Sequence, residues 1–197
     1  LQPDLLDAQL AQADLAMRAG KAEQALAIAK QIQSQRPKEA VGFMLEGSLL
    51  QTQGKQAAAV APLEQAFKLA PTQQNLVALH MAKAKTGKGK EADPLLEQWL
   101  KAHPGDGNVQ LYLAETMLAK KQNKQAIVLL ESVLKTTPKN ALALNNLAWA
   151  YQQEKDARAR KTAEQAYALA GTNPSVMDTL GWIMVEEGDT AKGRPFL

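Results

Sequence analysis

The sequence predicts an all-α chain of stacked helix hairpins, and three observations carry that expectation. Aromatic residues make up only 5% of the 197 residues, while helix-favouring Ala, Leu, Gln and Lys dominate and strand-filling types are scarce. Pro37, Pro71, Pro104 and Pro138 stand 34, 33 and 34 residues apart, each following one amphipathic run and preceding another. That is where Pro belongs, since it cannot continue a helix and pushes its predecessor out of the α region. Finally, small residues recur in register: Gly47, Ala114, Ala148 and Gly181 in first runs, Ala59, Ala126 and Ala159 in second runs. A larger side chain there would hold two helix backbones apart.

Taken in order, residues 1–5 read as the tail of a preceding repeat. The first full unit, 6–39, is marked by Ala13, Gly20, Ala25, Ala29 and Pro37. The second, 40–73, carries Phe43, Gly47, Gly54, Ala59, Leu63, Ala66 and Pro71. The third, 74–106, carries Met81, Ala92, Leu96, Trp99 and Pro104, with its turn one residue short around Gly87-Lys88-Gly89. The fourth, 107–140, shows Leu113, Ala114, Met117, Ala126, Leu130 and Pro138. The fifth, 141–173, shows Leu144, Leu147, Ala148, Tyr151, Ala159, Ala163 and Ala166; its end, Gly171-Thr172-Asn173-Pro174, comes late and predicts an irregular junction. The sixth, 174–197, has Met177, Leu180, Gly181, Met184 and Gly188, with Gly193 where Ala is expected, and stops inside a second helix. Pro62, Pro94 and Pro195 lie early in second helices, tolerable near the first turn, where backbone N–H groups lack helical partners; Pro62 sits far enough in to predict a small kink. The whole is expected to be one continuous solenoid, a piece of a longer array whose cut ends could self-associate.

The registered marks resemble the tetratricopeptide pattern W-x2-L-G-x2-Y…A-x3-F…P. That resemblance implies a right-handed α-solenoid, or superhelix, in which first helices line a concave face and second helices a convex one. Hairpins that cannot bury their apolar faces alone stack into a one-dimensional core.

Catalytic chemistry is not expected. The sequence has no Cys, hence no thiol nucleophile or Cys-based metal site. His80 and His103 lack partners at ligand spacing, and no Ser sits in a G-x-S-x-G setting. The stretch Lys85-Thr86-Gly87-Lys88-Gly89-Lys90 lacks phosphate-loop spacing and a preceding strand. No enzyme activity, metal or cofactor is therefore expected. The formal charge is +3, a mild surplus, whereas a duplex-binding protein clusters enough cations for roughly 6–10 phosphates. The densest basic groups, Lys83, Lys85, Lys88 and Lys90 and then Arg158, Arg160 and Lys161, fall around interhelical turns, where charges are solvated. Nucleic acid is not an expected partner. No apolar run approaches the about 20 residues of a membrane span, and the start carries no signal-peptide pattern.

A protein or peptide ligand in the concave groove is expected. Counting from each repeat start, groove-facing positions hold Met44, Ser48, Asn75, Leu79, Asn108, Tyr112, Glu115, Asn145, Trp149, Gln152, Asp178 and Trp182. The candidate site is Asn108, Tyr112, Glu115, Asn145, Asn146, Trp149, Gln152 and Trp182, aromatic surface beside amides that bond a backbone in either polarity. The other reading has Trp149 packing between hairpins and the asparagines solvated. The carboxylate-binding clamp of some tetratricopeptide proteins is missing, since its positions carry Leu10, Asp14, Leu45, Leu79 and Leu111, with Asn146 the lone match.

The segment from Asp178 through Gly181 and Trp182 to Asp189, after Asn145-Asn146-Leu147-Ala148-Trp149, resembles bacterial repeat lipoproteins linked to exopolysaccharide loci and PEP-CTERM sorting. The resemblance implies support of assembly or secretion on the periplasmic side of a bacterial envelope, anchored through a lipid outside this segment. A cytoplasmic setting stays open, as does a role as accessory domain of an enzyme such as a polysaccharide synthase or transferase.

Overall fold

The computed structural model describes residues 5–197, so the reading of residues 1–5 as a repeat tail lies, but for Leu5, outside the described residues. Twelve α-helices and a closing 3₁₀ turn are found among the described residues, and no strand. They form six antiparallel pairs: α1 (Leu6–Arg18) with α2 (Ala22–Gln35), α3 (Val41–Thr52) with α4 (Gln56–Leu69), α5 (Gln73–Lys85) with α6 (Gly89–Ala102). Then come α7 (Gly107–Ala119) with α8 (Asn123–Thr136), α9 (Ala141–Gln153) with α10 (Ala159–Ala170), and α11 (Pro174–Glu186) with α12 (Thr190–Gly193). Packing divides the chain into two compact units, one ending at Ala102 and the other His103–Leu197.

Each hairpin is punctuated twice. Four first helices open on a side-chain cap: Thr72, Asp106 and Asn140 accept from the N–H of Asn75, Val109 and Ala143, and Asn173 from Ser175. Such a cap satisfies a donor that the helix itself cannot. The turn inside each hairpin needs one residue with positive φ, supplied by Gly20, Gly54, Gly87 and Gly188, but by Lys121 and Lys155 in the fourth and fifth.

Both cores are built from the recurrent small and large positions. In the first unit Ala25, Ala29, Ala59, Leu63, Ala66 and Ala82 are fully buried. In the second, Ala114, Ala126, Leu130, Ala148, Ala166 and Ile183 are. Charge clasps tie neighbouring hairpins on their turn side. Arg158 lies 4.1 Å over the Tyr151 ring and bonds Glu131 at 2.9 Å, which also accepts from the Tyr151 hydroxyl at 2.6 Å. Arg160 reaches Glu187 and Asp189. Three of the basic residues expected to be merely solvated thus face carboxylates: Arg158, Arg160 and, 2.6 Å from Glu64, Lys83.

The third hairpin departs from the expected register. Helix α5 begins at Gln73, capped by Thr72, one residue before the boundary at 74. His80 then takes the crossing position that Gly47 and Ala114 hold elsewhere, 1% exposed and 3.1 Å from Asp93 through Nε2. Its spacing to Ala92 equals that of Gly47 to Ala59, so the turn at Gly87 is full length. The missing residue lies in the connection between α4 and α5. In the fifth hairpin the shortening sits inside the turn, where Ala148 and Ala159 are one residue closer than Ala114 and Ala126. The junction into α11 is regular, with Asn173 capping and Pro174 in the first turn.

Candidate ligand-binding faces

In the first unit the first helices leave an open trough. Val41, Met44, Leu45 and Ser48 of α3 and Gln74 of α5, with Leu10 of α1, line a hollow of about 430 Å³. An adjoining hollow of about 450 Å³ shares Met44, Ser48 and Gln74 and adds Gln51, Val77 and Met81. No ionisable side chain lines either one. Gln51 donates across the trough to the Ala78 carbonyl at 3.2 Å. The floor is therefore apolar with amides and a hydroxyl at its margins, suited to an extended or helical polypeptide.

This trough corrects part of the sequence reading. Leu79 was expected in the groove but is buried and lines neither hollow, whereas Asn75, though buried too, borders the first one. Asn75 donates to the carbonyls of Ala70 at 2.8 Å and Ala66 at 3.3 Å, tying the end of α4 to the start of α5. The one-residue register change turns Gln74, Val77 and Met81 outward instead.

In the second unit, α7, α9 and α11 carry the eight candidate residues. Asn108 is exposed at the start of α7 and Tyr112 half-buried one turn on. Glu115 follows, accepting from Asn146 Nδ2 of α9 at 3.4 Å. Burial pushes the Glu115 carboxyl above its ordinary range, with the Asn146 hydrogen bond opposing. On α9, Trp149 is 39% exposed, so its indole is not a packing residue alone. Gln152 donates to Glu186 of α11, and Trp182 of that helix is 43% exposed. Asn145 is the exception: it is 9% exposed, and its Oδ1 finds no hydrogen-bond partner. The structure thus brings seven of the eight to the surface of one face, bridged by Asn146–Glu115 and Gln152–Glu186, and sinks Asn145 beneath it. Asp178, exposed on α11, joins them.

Among the described residues no three His, Cys, Asp or Glu side chains gather as a metal set, and no helix is long and apolar enough to cross a membrane.

These features define a class: in each unit, an all-α stack of helix hairpins whose first helices present open faces to solvent. A tetratricopeptide repeat family model matches residues 83–150, from the end of α5 to the middle of α9. A TPR repeat-containing protein of Pseudomonas aeruginosa is 26% identical over 199 residues, covering 98% of this chain; the chain spans 28% of that relative's length. Among solved structures, a tetratricopeptide repeat protein from Parabacteroides merdae superposes with a TM-score of 0.78 at 11% identity, over 96% of this chain and 76% of that one. Pseudomonas aeruginosa pilF gives 0.70 at 20% identity, over 82% and 74%. YrrB, described as a TPR protein with an unusual peptide-binding site, gives 0.64 at 16% identity, over 86% and 88%. A tetratricopeptide repeat model thus matches part of the chain, and the solved structures share its all-α, tetratricopeptide-like fold.

Proposed function

We propose that this chain is a non-catalytic interaction scaffold that holds a peptide or partner segment against its first-helix faces. The observation that carries the reading is the open trough of the first unit, uncharged and floored by Met44, Val77 and Met81, with Trp149 and Trp182 exposed on the corresponding face of the second. Apolar surface kept uncovered on one repeated face is where such folds receive partners. YrrB, similar in fold, is described as having a peptide-binding site, which supports the same use here.

The proposed setting is the bacterial cell envelope, in support of exopolysaccharide assembly or secretion, with the full-length protein held by a lipid. The segment from Asp178 to Asp189 supports this through its resemblance to envelope repeat lipoproteins. Fractionation of the full-length protein tests the setting: recovery with the envelope is expected, and recovery in the cytoplasm overturns it. The scaffold reading is tested by capture from an envelope extract. The parent chain is compared with a Tyr112→Ala, Asn145→Ala, Trp149→Ala variant and with Met81→Glu, each checked for intact helicity. Loss of one captured protein by either variant is expected; equal capture by both would move binding to the second-helix face.

A further inference from the structure

Charge is segregated within the second unit. Across α7, α9 and α11 the acids are Glu115, Asp178 and Glu186, and no Lys, Arg or His occurs in any of the three helices, although the chain as a whole is +3. The cations of this unit sit in its turns and second helices, where Lys124, Arg158, Arg160 and Lys192 meet local carboxylates. None of the three first helices supplies a cation to pair with these acids. Glu115 and Glu186 take amide hydrogen bonds from Asn146 and Gln152, and Asp178 stands exposed.

Two further features of the same face ask for the same chemistry. Trp149 and Trp182, 39% and 43% exposed, offer π surfaces that attract cations as well as apolar groups. Asn145, 9% exposed on the line of Trp149 and Gln152, keeps an Oδ1 without a donor. A buried acceptor left unsatisfied is costly, and a guanidinium or backbone N–H arriving on the face would relieve it. A phosphate or acidic segment would meet three carboxylates, and a purely apolar helix would desolvate them without compensation.

We propose that the α7–α9–α11 face binds a Lys- or Arg-bearing segment of a partner polypeptide. The segment's cations lie against Glu115, Asp178 and Glu186, and its apolar side chains rest on Trp149 and Trp182. The inference deepens the scaffold reading and rests on it for the choice of face. It also gives the two units different selectivity, since the trough of the first carries no charge to distinguish ligands.

The test is fluorescence anisotropy with three labelled peptides that share one Leu/Ala skeleton and carry Arg, Gln or Glu at the remaining positions. The Arg peptide is expected to bind most tightly, with affinity falling as salt rises. The triple variant Glu115→Gln, Asp178→Asn, Glu186→Gln should weaken it about tenfold, from three surface pairs of modest strength. Glu91→Gln with Glu97→Gln, exposed acids of α6 in the first unit, should leave it unchanged. Absence of Arg-peptide binding, equal binding of all three peptides, or indifference to the triple variant overturns the proposal. If the Gln peptide binds as well as the Arg peptide and both are lost in Trp149→Ala, the charge inference fails while the scaffold reading of this face stands. If Arg-peptide binding survives the triple variant and Trp149→Ala alike, both fail. Self-association without peptide, abolished by the triple variant, would make a second copy the occupant and overturn the proposal in that way.

Discussion

At the sixth hairpin neither crossing helix carries a Cβ, and this fixes what Gly193→Ala should do. A Cβ built on Gly193 would lie 2.6 Å from the carbonyl oxygen of Gly181, 2.8 Å from Val185 Cγ2 and 3.1 Å from Met184 Cβ. The nearest obstacle is backbone inside α11, which cannot rotate aside, so the methyl must displace α12. Overpacking of this kind costs about 1–3 kcal/mol. Against a backbone obstacle the upper part of that range applies, about 2–3 kcal/mol, and the better helix propensity of Ala offsets about 1 kcal/mol, leaving a net loss of roughly 1–2 kcal/mol. Since α12 has only four residues, the loss should be local. Amide exchange over residues 190–197 should quicken roughly 5- to 30-fold. The edge-to-face contact of Tyr167 with Phe196, 5.2 Å between ring centroids, should weaken, while α9 keeps its protection. NMR-detected exchange with the Tyr167–Phe196 ring cross-peak reads both. Unchanged or slower exchange with the cross-peak intact would refute the argument that close backbone approach dictates glycine here. At Gly47 the obstacle to a Cβ is the Cγ of the buried Leu63 side chain, so Gly47→Ala should instead be partly rescued by Leu63→Val.

Three further outcomes follow from local chemistry. Lys121 sits at φ 59 where four hairpins use glycine, so Lys121→Gly should raise stability by about 0.5–1 kcal/mol in denaturant unfolding, and a loss would contradict the strain assigned to that turn. Hydrogen bonds from the Arg158 side chain and backbone hold the Asp156 carboxyl down to about 2, so its contribution to stability is present above its ordinary value and lost as pH falls through about 2. A carboxyl NMR titration should find that midpoint and see it rise in Arg158→Gln; an unmoved midpoint would rule Arg158 out as the cause. Tyr151→Phe removes the 2.6 Å bond to Glu131 but keeps the ring under Arg158, so unfolding should lose only about 1 kcal/mol, and a much larger loss would mean the hydroxyl organises the clasp.

Much of the fold was legible because proline and the small crossing residues report backbone constraints that tertiary packing does not override. The expectation of helix hairpins follows directly from Pro37 to Pro138 and from Gly47, Ala114 and Ala148. Register was harder. In the third hairpin a histidine occupies the crossing position that small residues mark elsewhere, and the repeat start was set one residue late, which placed Leu79 in the groove. The signal that would have corrected it was available: Thr72 three residues before Asn75 is a helix cap, and Ala92 fixes the second helix. Gly193 looked like a departure from the pattern until the Gly181 carbonyl beside it supplied the reason. For the candidate face, residue types at fixed spacing sufficed to gather Tyr112, Asn146, Trp149 and Trp182. They could not tell an exposed asparagine from Asn145, whose burial depends on neighbouring helices.

The measurement that bears most directly on the scaffold reading is a photo-crosslinking scan in the full-length protein in its native host. A photoreactive residue is placed in turn at Ser48, Gln74, Asn108 and Trp182 on first helices, and at Lys30, Glu64, Val128 and Leu169 on second helices. The account predicts that one partner polypeptide is captured from first-helix positions and from none of the second-helix positions. Capture confined to the second-helix positions would contradict it.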